Sequence, residues 1–171
     1  MVKSGDVLAV IKGPLQKLLI GERVILNLIQ RMSAIATATN RAVQETVGTH
    51  AKICDTRKTI PGLRMLDKYA VRIGGAFNHR NGLYDAIMLK DNHIAFAGSI
   101  ANAVQAARAK VGHTVKIEVE IETKEQLEEA IKAGADIIMF DNRSQKKSVH
   151  GFPLFHQLLR LKHLGASHLK I

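Results

Sequence analysis

From residue 51 to residue 140, short apolar segments alternate with segments of helical periodicity. Ser99 can cap a helix that ends at Gly112. Thr123 and Gln126 have the spacing of a capping box, and Gly134 can close that second helix. A strand, a capped helix, a glycine and another strand are typical of parallel βα units. The sequence therefore predicts five strands of an α/β barrel or an open sheet, at residues 51–55, 70–74, 85–89, 115–121 and 136–140.

Two further elements are predicted before residue 51. Residues 5–12 have the apolar character of a strand, and Gly13-Pro14 would end it. Apolar residues at steps of three and four then indicate a long helix with Gly48 as its C-terminal cap. A closed (β/α)₈ barrel usually needs about 250 residues. The chain has 171, so any barrel in it is incomplete.

Composition excludes several classes of protein. The single cysteine, Cys54, excludes an internal disulfide framework and a multi-cysteine metal site. No apolar run approaches the roughly 18 residues of a membrane span. The first residues lack the pattern of a signal peptide, so we expect a cytosolic protein.

The net charge of +10 is concentrated near the C-terminus. Residues 143–171 contain six basic residues and no acidic one, which is more than half of the excess. A basic chain suggests nucleic acid or an anionic small molecule as partner. Aromatic residues make up only 4% of the chain and Trp is absent, which leaves little for base stacking. Nucleic-acid binding is therefore the least supported hypothesis.

Polar and charged residues follow the predicted strands. In parallel α/β folds the carboxyl ends of the strands meet on one face, which holds the active site. Four cations would gather there with carboxylates, a mixture that suits an anionic substrate with a cationic reacting centre or a bound metal ion. The strand-end groups are Asp55-Thr56-Arg57-Lys58, Asn78-His79-Arg80, Lys90-Asp91-Asn92-His93 and Asp141-Asn142.

Each of these groups also has a purely structural interpretation. A single Arg-Lys pair after a strand is usually a solvated loop. Glu118, Glu120 and Glu122 alternate and therefore share one strand face. On an exposed edge strand they would only be solvated, whereas flanking βα units would turn them into the barrel.

The histidines divide in the same way. His79 is either a general acid or base or a residue that orients its loop. His93 fits a structural role, and His50 and His113 fit the surface. Cys54 fits a packed apolar position.

Longer runs of residues resemble those of a known enzyme family. The helical part contains Glu22-Arg23 with Asn27 and Gln30, and residues 55–64 read DTRKTIPGLR. The other runs are KYAV (68–71), NHRNGLYD (78–85), LKDNH (89–93), IEVE (117–120), AGAD (133–136) and DN (141–142). With these motifs, residues 5–144 closely resemble quinolinate phosphoribosyltransferase, also called nicotinate-nucleotide pyrophosphorylase (carboxylating).

The resemblance implies an α/β fold: a partial α/β barrel preceded by the last strand and helix of an N-terminal α/β sandwich-like domain. Residues 1–48 would be the remnant of that domain with a linking helix, 49–144 the partial barrel, and 145–171 a divergent basic tail. The implied reaction makes nicotinate mononucleotide, CO₂ and pyrophosphate from quinolinate and phosphoribosyl pyrophosphate, in NAD biosynthesis. Mg²⁺ would arrive with phosphoribosyl pyrophosphate, and the protein would be a homodimer or higher oligomer, without nucleic-acid or membrane partners.

The resemblance also assigns roles to single residues. Lys58, Lys90, Glu120 and Asp141 would be catalytic, and no residue is assigned as a metal ligand. Glu120 and Asp141 would stabilise positive charge on the ribose. The full implied substrate-binding set is Arg23, Thr56, Arg57, Lys58, His79, Arg80, Lys90, Glu120 and Asp141. Of these, Arg23 matches an arginine that the family lends to the neighbouring subunit's site, although an exposed helical arginine is by itself unremarkable.

Two departures from the family pattern are expected. Most of the family's N-terminal domain has no counterpart, and the resemblance is expected to stop at Ser144. The family's later glycine-rich loops, whose backbone amides bind a 5′-phosphate, would then be replaced by a basic tail with a short helix at residues 153–164. A chain truncated at both ends leaves an alternative to the enzyme: an inactive remnant that at most binds the anionic substrate or oligomerises.

Overall fold

A computed structural model describes residues 2–141 of the chain. Five helices and three strands follow one another in this part: α1 (Leu15–Gln44), α2 (Arg64–Ile73), β1 (Ile87–Leu89), α3 (Asp91–Ala97), α4 (Ile100–Arg108), β2 (Ile117–Ile121), α5 (Lys124–Lys132) and β3 (Ile137–Phe140). The predicted tail, its helix at 153–164 and Asn142 lie outside the described residues.

The three strands form one parallel sheet in the order β1-β2-β3. Glu118 of β2 stands opposite Met88 on one side and Ile137 on the other. Each crossover runs through helices, as parallel pairing requires. The fold is therefore mixed α/β with a parallel sheet, as the alternation of segments predicts.

The core lies between the sheet and helices α4 and α5. Ile117, Val119 and Ile121 of β2 are almost completely buried on the face toward the helices. They pack with Leu89 of β1 and with apolar residues of both helices, namely Ile100, Ala103, Val104, Leu127 and Ala130. Because side chains alternate along a strand, the residues between them, Glu118 and Glu120, point to the opposite face.

The predicted helix starts are confirmed. The hydroxyl of Ser99 accepts a hydrogen bond from the backbone N–H of Asn102 at the start of α4. Thr123 and Gln126 form the capping box of α5, and Gly134 follows that helix with a left-handed φ of 77°. Two predicted ends are too late: α4 ends at Arg108 rather than near Gly112, and α1 ends at Gln44 with Glu45, not Gly48, as its cap.

Helices α1 and α2 pack through one close approach. A Cβ on Gly74 would lie 2.6 Å from Cβ of Thr39 and 2.7 Å from the carbonyl oxygen of Ala36. The Asn40 side chain donates to the Gly74 carbonyl over 3.3 Å. Nearer the start of α2, Arg31 forms a two-pronged ion pair with Asp67 at 2.7 and 2.8 Å. These contacts fix the direction of α1, although none of its own residues is buried.

The predicted strand at residues 5–12 is wrong. Residues 6–12 belong to neither helix nor strand, and every residue from 5 to 12 is exposed. A strand needs a neighbouring segment to accept and donate its backbone hydrogen bonds. Within residues 2–141 no other segment pairs with this one, so its apolar pattern has no sheet to join.

The predicted strand at residues 70–74 is also wrong, because these residues form the end of α2 and the glycine that caps it. The β-branched Val71 and Ile73 imitate a strand pattern, but packing against α1 favours the helix. The predicted strand at 51–55 is reduced to a parallel bridge between Cys54 and Phe77. Backbone hydrogen bonds of 2.9 and 3.0 Å join Phe77 to Ile53 and Asp55 on either side of that bridge.

None of the helices within residues 2–141 combines the length and the apolar character that crossing a bilayer requires.

Candidate active site

The carboxyl ends of the strands bring charged side chains from distant parts of the sequence together. Lys90 directly follows β1, and Asp141 directly follows β3. Glu118 and Glu120 extend from β2 on the face opposite the apolar core. The loop that contains His79 and Arg80 lies against the same face, because His79 contacts Glu118.

Lys90 and Glu120 form an ion pair across neighbouring strands. Lys90 Nζ lies 2.6 Å from Glu120 Oε2. The Lys90 side chain is 46% exposed and that of Glu120 only 14% exposed. The lysine can therefore reach a solvent-borne ligand while its partner carboxylate stays largely shielded from water.

Glu118 and His79 form the more deeply buried pair of the site. His79 Nε2 lies 2.8 Å from Glu118 Oε2, and the two side chains are 13% and 1% exposed. Burial raises the pKa of Glu118 above its ordinary value, and the charge of Arg80 opposes that shift. The second oxygen, Oε1, is buried and has no hydrogen-bond partner within the described residues.

The guanidinium group of Arg80 has only part of its hydrogen bonds and is affected by the charge of Arg57. Its guanidinium donates to the carbonyl of Ala86 over 3.2 Å and to the sulfur of Met88 over 3.3 Å. Its Nε is buried and lacks a partner within residues 2–141. Burial, and after it the nearby charge of Arg57, lower the pKa of Arg80. A bound anion could accept a hydrogen bond from the unpartnered Nε and would offset the repulsion between Arg80 and Arg57.

A buried ion pair between Lys68 and Asp55 anchors the loop that contains His79. Lys68 Nζ donates to Asp55 Oδ1 over 2.7 Å and to the His79 carbonyl over 3.0 Å. Asp55 Oδ1 also accepts from the His79 backbone N–H over 2.7 Å. With its amide nitrogen turned toward Asp55, Asn78 donates to Oδ2 over 3.0 Å. The backbone of His79 is thus held on both of its polar groups.

The structure does not bring every predicted site residue into this group of contacts. The exposed Lys58 donates its backbone N–H to the hydroxyl of Thr56, which closes a local turn. Arg23 is exposed on α1. The half-buried Asp141 joins β2 through its backbone N–H to Ile121. Among residues 2–141, the side chains of Arg23, Lys58 and Asp141 form no hydrogen bond or ion pair with the rest of the site.

The positions predicted for the other histidines and for Cys54 agree with the structure. His93 has the predicted structural role, since its Nδ1 accepts from the Lys90 backbone N–H over 3.1 Å at the start of α3. His50 and His113 lie on the surface, and Cys54 is half-buried. Glu122 lies beyond the end of β2 and is exposed, so of the three alternating glutamates only Glu118 and Glu120 belong to the strand.

In the sequence, Lys68 appears only as the first residue of the KYAV run, and no role is assigned to it. Charged helical residues are usually solvent-exposed, so nothing in the sequence marks this one as 2% exposed. The sequence marks Asp55 as a strand-end residue, whereas the structure shows that it also anchors the His79 loop. Its position directly after Cys54, at a predicted strand end, was the available signal.

No three His, Cys, Asp or Glu side chains within residues 2–141 lie close enough together to hold a metal ion. Mg²⁺, however, usually binds one or two carboxylates together with substrate phosphates and water. Glu120 and Asp141, at or near the carboxyl ends of β2 and β3, are carboxylates of the kind that such an ion can bind.

Comparison with known families matches nearly the whole chain to one of them. The profile described as "Quinolinate phosphoribosyl transferase, C-terminal domain" matches residues 35–155, and that of the N-terminal domain matches residues 1–33. The chain belongs to the quinolinate phosphoribosyl transferase family. The C-terminal match continues past Ser144, so the expectation that the resemblance stops there is wrong.

The alignments with individual relatives include most of this chain but only about half of each relative. A probable nicotinate-nucleotide pyrophosphorylase (carboxylating) of Bacillus subtilis (strain 168) is 65% identical over 142 residues, which are 83% of this chain and 49% of that protein. A relative of the same name from Synechocystis is 46% identical over 166 residues, or 97% of this chain and 56% of that protein. The chain thus spans about half the length of the curated relatives it matches.

The family resemblance extends to three dimensions. The solved structure of the nicotinate-nucleotide pyrophosphorylase from Francisella tularensis has a TM-score of 0.77 and is 45% identical. The similarity covers 84% of this chain and 51% of that one. At this identity the family's α/β fold with a parallel sheet applies to this member as well.

Proposed function

We propose that this site binds quinolinate and phosphoribosyl pyrophosphate and forms nicotinate mononucleotide, CO₂ and pyrophosphate. The observation that carries the proposal is the buried Arg80 Nε, which has no hydrogen-bond partner in the described chain, together with the charge of Arg57 that acts on the same guanidinium group. Quinolinate has two adjacent carboxylates, and planar guanidinium groups suit carboxylates better than ammonium groups do. The names of the family and of its relatives support the same assignment.

The other strand-end residues have complementary parts in the proposed reaction. Thr56, Lys58, His79 and Lys90 would add donors for the carboxylates and phosphates. Loss of pyrophosphate from the anomeric carbon develops positive charge on the ribose, which Glu120 and Asp141 would stabilise. The pair with Lys90 supports this part for Glu120, because the contact of 2.6 Å holds that carboxylate in place.

Decarboxylation needs positioning rather than a further acid or base. After the pyridine nitrogen bonds to the ribose, the ring carries a positive charge. The carboxylate beside that nitrogen leaves as CO₂, its electron pair stays on the ring carbon, and that carbon then takes a proton from water. Arg57 and Arg80 would hold the other carboxylate, so that the ring stays oriented through this step.

Mg²⁺ belongs to the proposal as a companion of phosphoribosyl pyrophosphate. Glu120 and Asp141 would hold it together with the phosphate oxygens, and when bound it would neutralise charge on the departing pyrophosphate. The exposure of Arg23, far along α1 from the contacts with α2, supports its proposed contribution to a second subunit in a homodimer or higher oligomer. The cytosolic location stays a prediction from the sequence.

We also propose that the sheet is part of an incomplete α/β barrel. Its three strands are parallel and follow one another in chain order. The parallel bridge between Cys54 and Phe77 supplies a pairing of the same sense earlier in the chain. The placement of charged groups on the face away from the helices supports this proposal too, since that face would line the barrel.

Calorimetric titration with quinolinate tests the binding part. Arg80→Ala is expected to weaken binding by about 1.5–3 kcal/mol, the worth of hydrogen bonds between charged groups. Arg72→Ala, which removes an exposed arginine of α2, is the matched control and should bind like the unmodified chain. Nicotinate lacks the carboxylate beside the ring nitrogen and should bind more weakly, but its binding should still depend on Arg80, because it keeps the carboxylate that Arg57 and Arg80 would hold. Equal quinolinate affinity in the unmodified chain and Arg80→Ala would contradict the assignment.

A turnover assay separates the enzyme from the inactive alternative. Quinolinate, phosphoribosyl pyrophosphate and Mg²⁺ are supplied together, and nicotinate mononucleotide is quantified. Product formation that Arg80→Ala reduces supports the transferase. Quinolinate binding without any product supports a remnant that only binds the anionic substrate, a reading that neither the family match nor the relatives favour.

A further inference from the structure

We propose that Glu118 is a positioning residue that holds the imidazole of His79 by Nε2 and leaves Nδ1 as the nitrogen that meets a bound carboxylate. The proposal rests on the proposed function for the identity of that carboxylate. It concerns a residue outside the set that the resemblance assigns, since that set takes Glu120 from β2 and not Glu118.

The rigidity of both partners is the first argument. Glu118 lies in the middle strand of the sheet and is paired on both sides, with Met88 and with Ile137. Its side chain is 1% exposed, so its carboxylate has little room to move. The His79 backbone is held at its N–H by Asp55 and at its carbonyl by Lys68. Only the side-chain torsions of His79 remain, and the contact with Glu118 over 2.8 Å fixes them.

The distribution of hydrogen bonds on the ring is the second argument. A neutral imidazole has one donor and one acceptor nitrogen, and a carboxylate accepts only from the donor. The Glu118 contact therefore selects the form with the proton on Nε2. Within residues 2–141 no hydrogen bond reaches Nδ1. A proton taken up at Nδ1 would then make that nitrogen a donor toward an anion in the site.

The charges around Glu118 are the third argument. Arg80 and Lys90 act on it as cations, Glu120 acts on it as an anion, and His79 touches it directly. The two cations oppose the effect of burial on this carboxylate, whose Oε2 lies 2.8 Å from His79 Nε2. The unpartnered Oε1 shows that nothing else in the described chain competes for this group. The arrangement has the form expected of a supporting residue behind a binding group.

The test combines a ring-proton measurement with a binding cycle on the chain as it exists. The eight histidines are distinguished by comparing ¹⁵N-labelled protein with the His79→Gln variant. We expect His79 Hε2 to be protected from exchange in the unmodified chain. It should exchange about tenfold faster in Glu118→Gln, and its protected signal should disappear in Glu118→Ala. Glu128→Gln, a partly exposed glutamate of α5, is the control and should leave the signal unchanged.

In the binding cycle, His79→Gln and Glu118→Gln should each weaken quinolinate binding about tenfold. The double variant should be no weaker than His79→Gln alone, because Glu118 acts only through that ring. Additive losses would overturn the proposal, as would an unchanged Hε2 signal in Glu118→Gln. The Hε2 measurement on Glu118→Gln tests the proposal even if the Glu118→Ala variant does not fold. If the unmodified chain binds no quinolinate, the proposed function fails, while the ring proton still decides whether Glu118 holds His79.

Discussion

The ammonium group of Lys68 lies 2.7 Å from Oδ1 of Asp55, and the two side chains are only 3% and 7% exposed. The same carboxylate oxygen accepts from the backbone of His79. One buried ion pair therefore joins helix α2, the segment after the Cys54–Phe77 bridge and the loop of the candidate site. Its integrity affects both stability and the placement of His79.

Lys68→Met is expected to lower the free energy of unfolding by about 3–5 kcal/mol, because it removes the ammonium group that lies 2.7 Å from a buried carboxylate. Urea unfolding monitored by circular dichroism measures this loss. Lys132→Met, at an exposed position at the end of α5, should cost far less. A loss in Lys68→Met no greater than in Lys132→Met would show that Asp55 does not depend on its partner.

Gly74→Ala is expected to destabilise the chain by about 1–3 kcal/mol, since the new methyl group would overlap Thr39 and Ala36 on α1. Gly74 has a φ of −68°, so the effect arises from packing and not from backbone strain. Gly112→Ala is the matched control, because nothing lies within 4 Å of a Cβ added there. Thermal unfolding of the two variants should separate them clearly, and equal melting temperatures would contradict the close packing of α1 on α2.

The ion pair between Arg31 and Asp67 predicts a dependence of stability on acid. The hydrogen bond from Arg31 lowers the pKa of Asp67 below its ordinary value of 3.8. As the pH falls, Asp67 is therefore protonated at a higher pH in the unfolded chain than in the folded chain. The stabilisation by this ion pair is complete above pH 3.8 and is lost as the pH falls through the lowered pKa of Asp67 in the folded chain.

Asp67→Asn should be less stable than the unmodified chain at neutral pH, and the difference should shrink as the pH falls below 3.8. Urea unfolding at pH values on both sides of this point gives the comparison. Glu22→Gln, an exposed change on α1, should run parallel to the unmodified chain. A difference between Asp67→Asn and the unmodified chain that is independent of pH would indicate a packing defect instead of a lost ion pair.

Thr123→Ala is expected to cost about 1 kcal/mol, because the hydroxyl accepts from the backbone N–H of Gln126 at the start of α5. The reciprocal bond, from the Thr123 N–H to Gln126 Oε1, measures 3.1 Å and would remain. Thr114→Ala, at an exposed threonine in the loop before β2, should change the free energy of unfolding by much less. Denaturant midpoints of the two variants provide the check.

Local spacing accounts for the parts of the fold that were predicted correctly. The capping box of Thr123 and Gln126, the cap at Ser99 and the left-handed Gly134 depend on residues within a few positions of one another. The alternation of Ile117, Val119 and Ile121 with Glu118 and Glu120 likewise follows from the period of a strand. None of these features needs a distant partner to be identified.

Distant partners explain the errors. Residues 70–74 have β-branched side chains in an alternating pattern, yet contacts with Thr39 and Ala36, more than 30 positions earlier, make them the end of a helix. Residues 5–12 have the composition of a strand but no segment of the described chain beside them. For Lys68, no neighbour in sequence reveals that its ammonium group lies beneath the His79 loop.

The parallel βα alternation, the helix starts, the positions of Lys90 and Asp141 directly after strands, and the family to which the motifs belong can all be read from the sequence. Only the tertiary structure decided which charged groups meet. It paired His79 with Glu118 across 39 positions and Lys68 with Asp55 across 13. The physical reason is that periodicity and capping are properties of the local backbone, whereas burial and ion pairing depend on which segments the fold brings together.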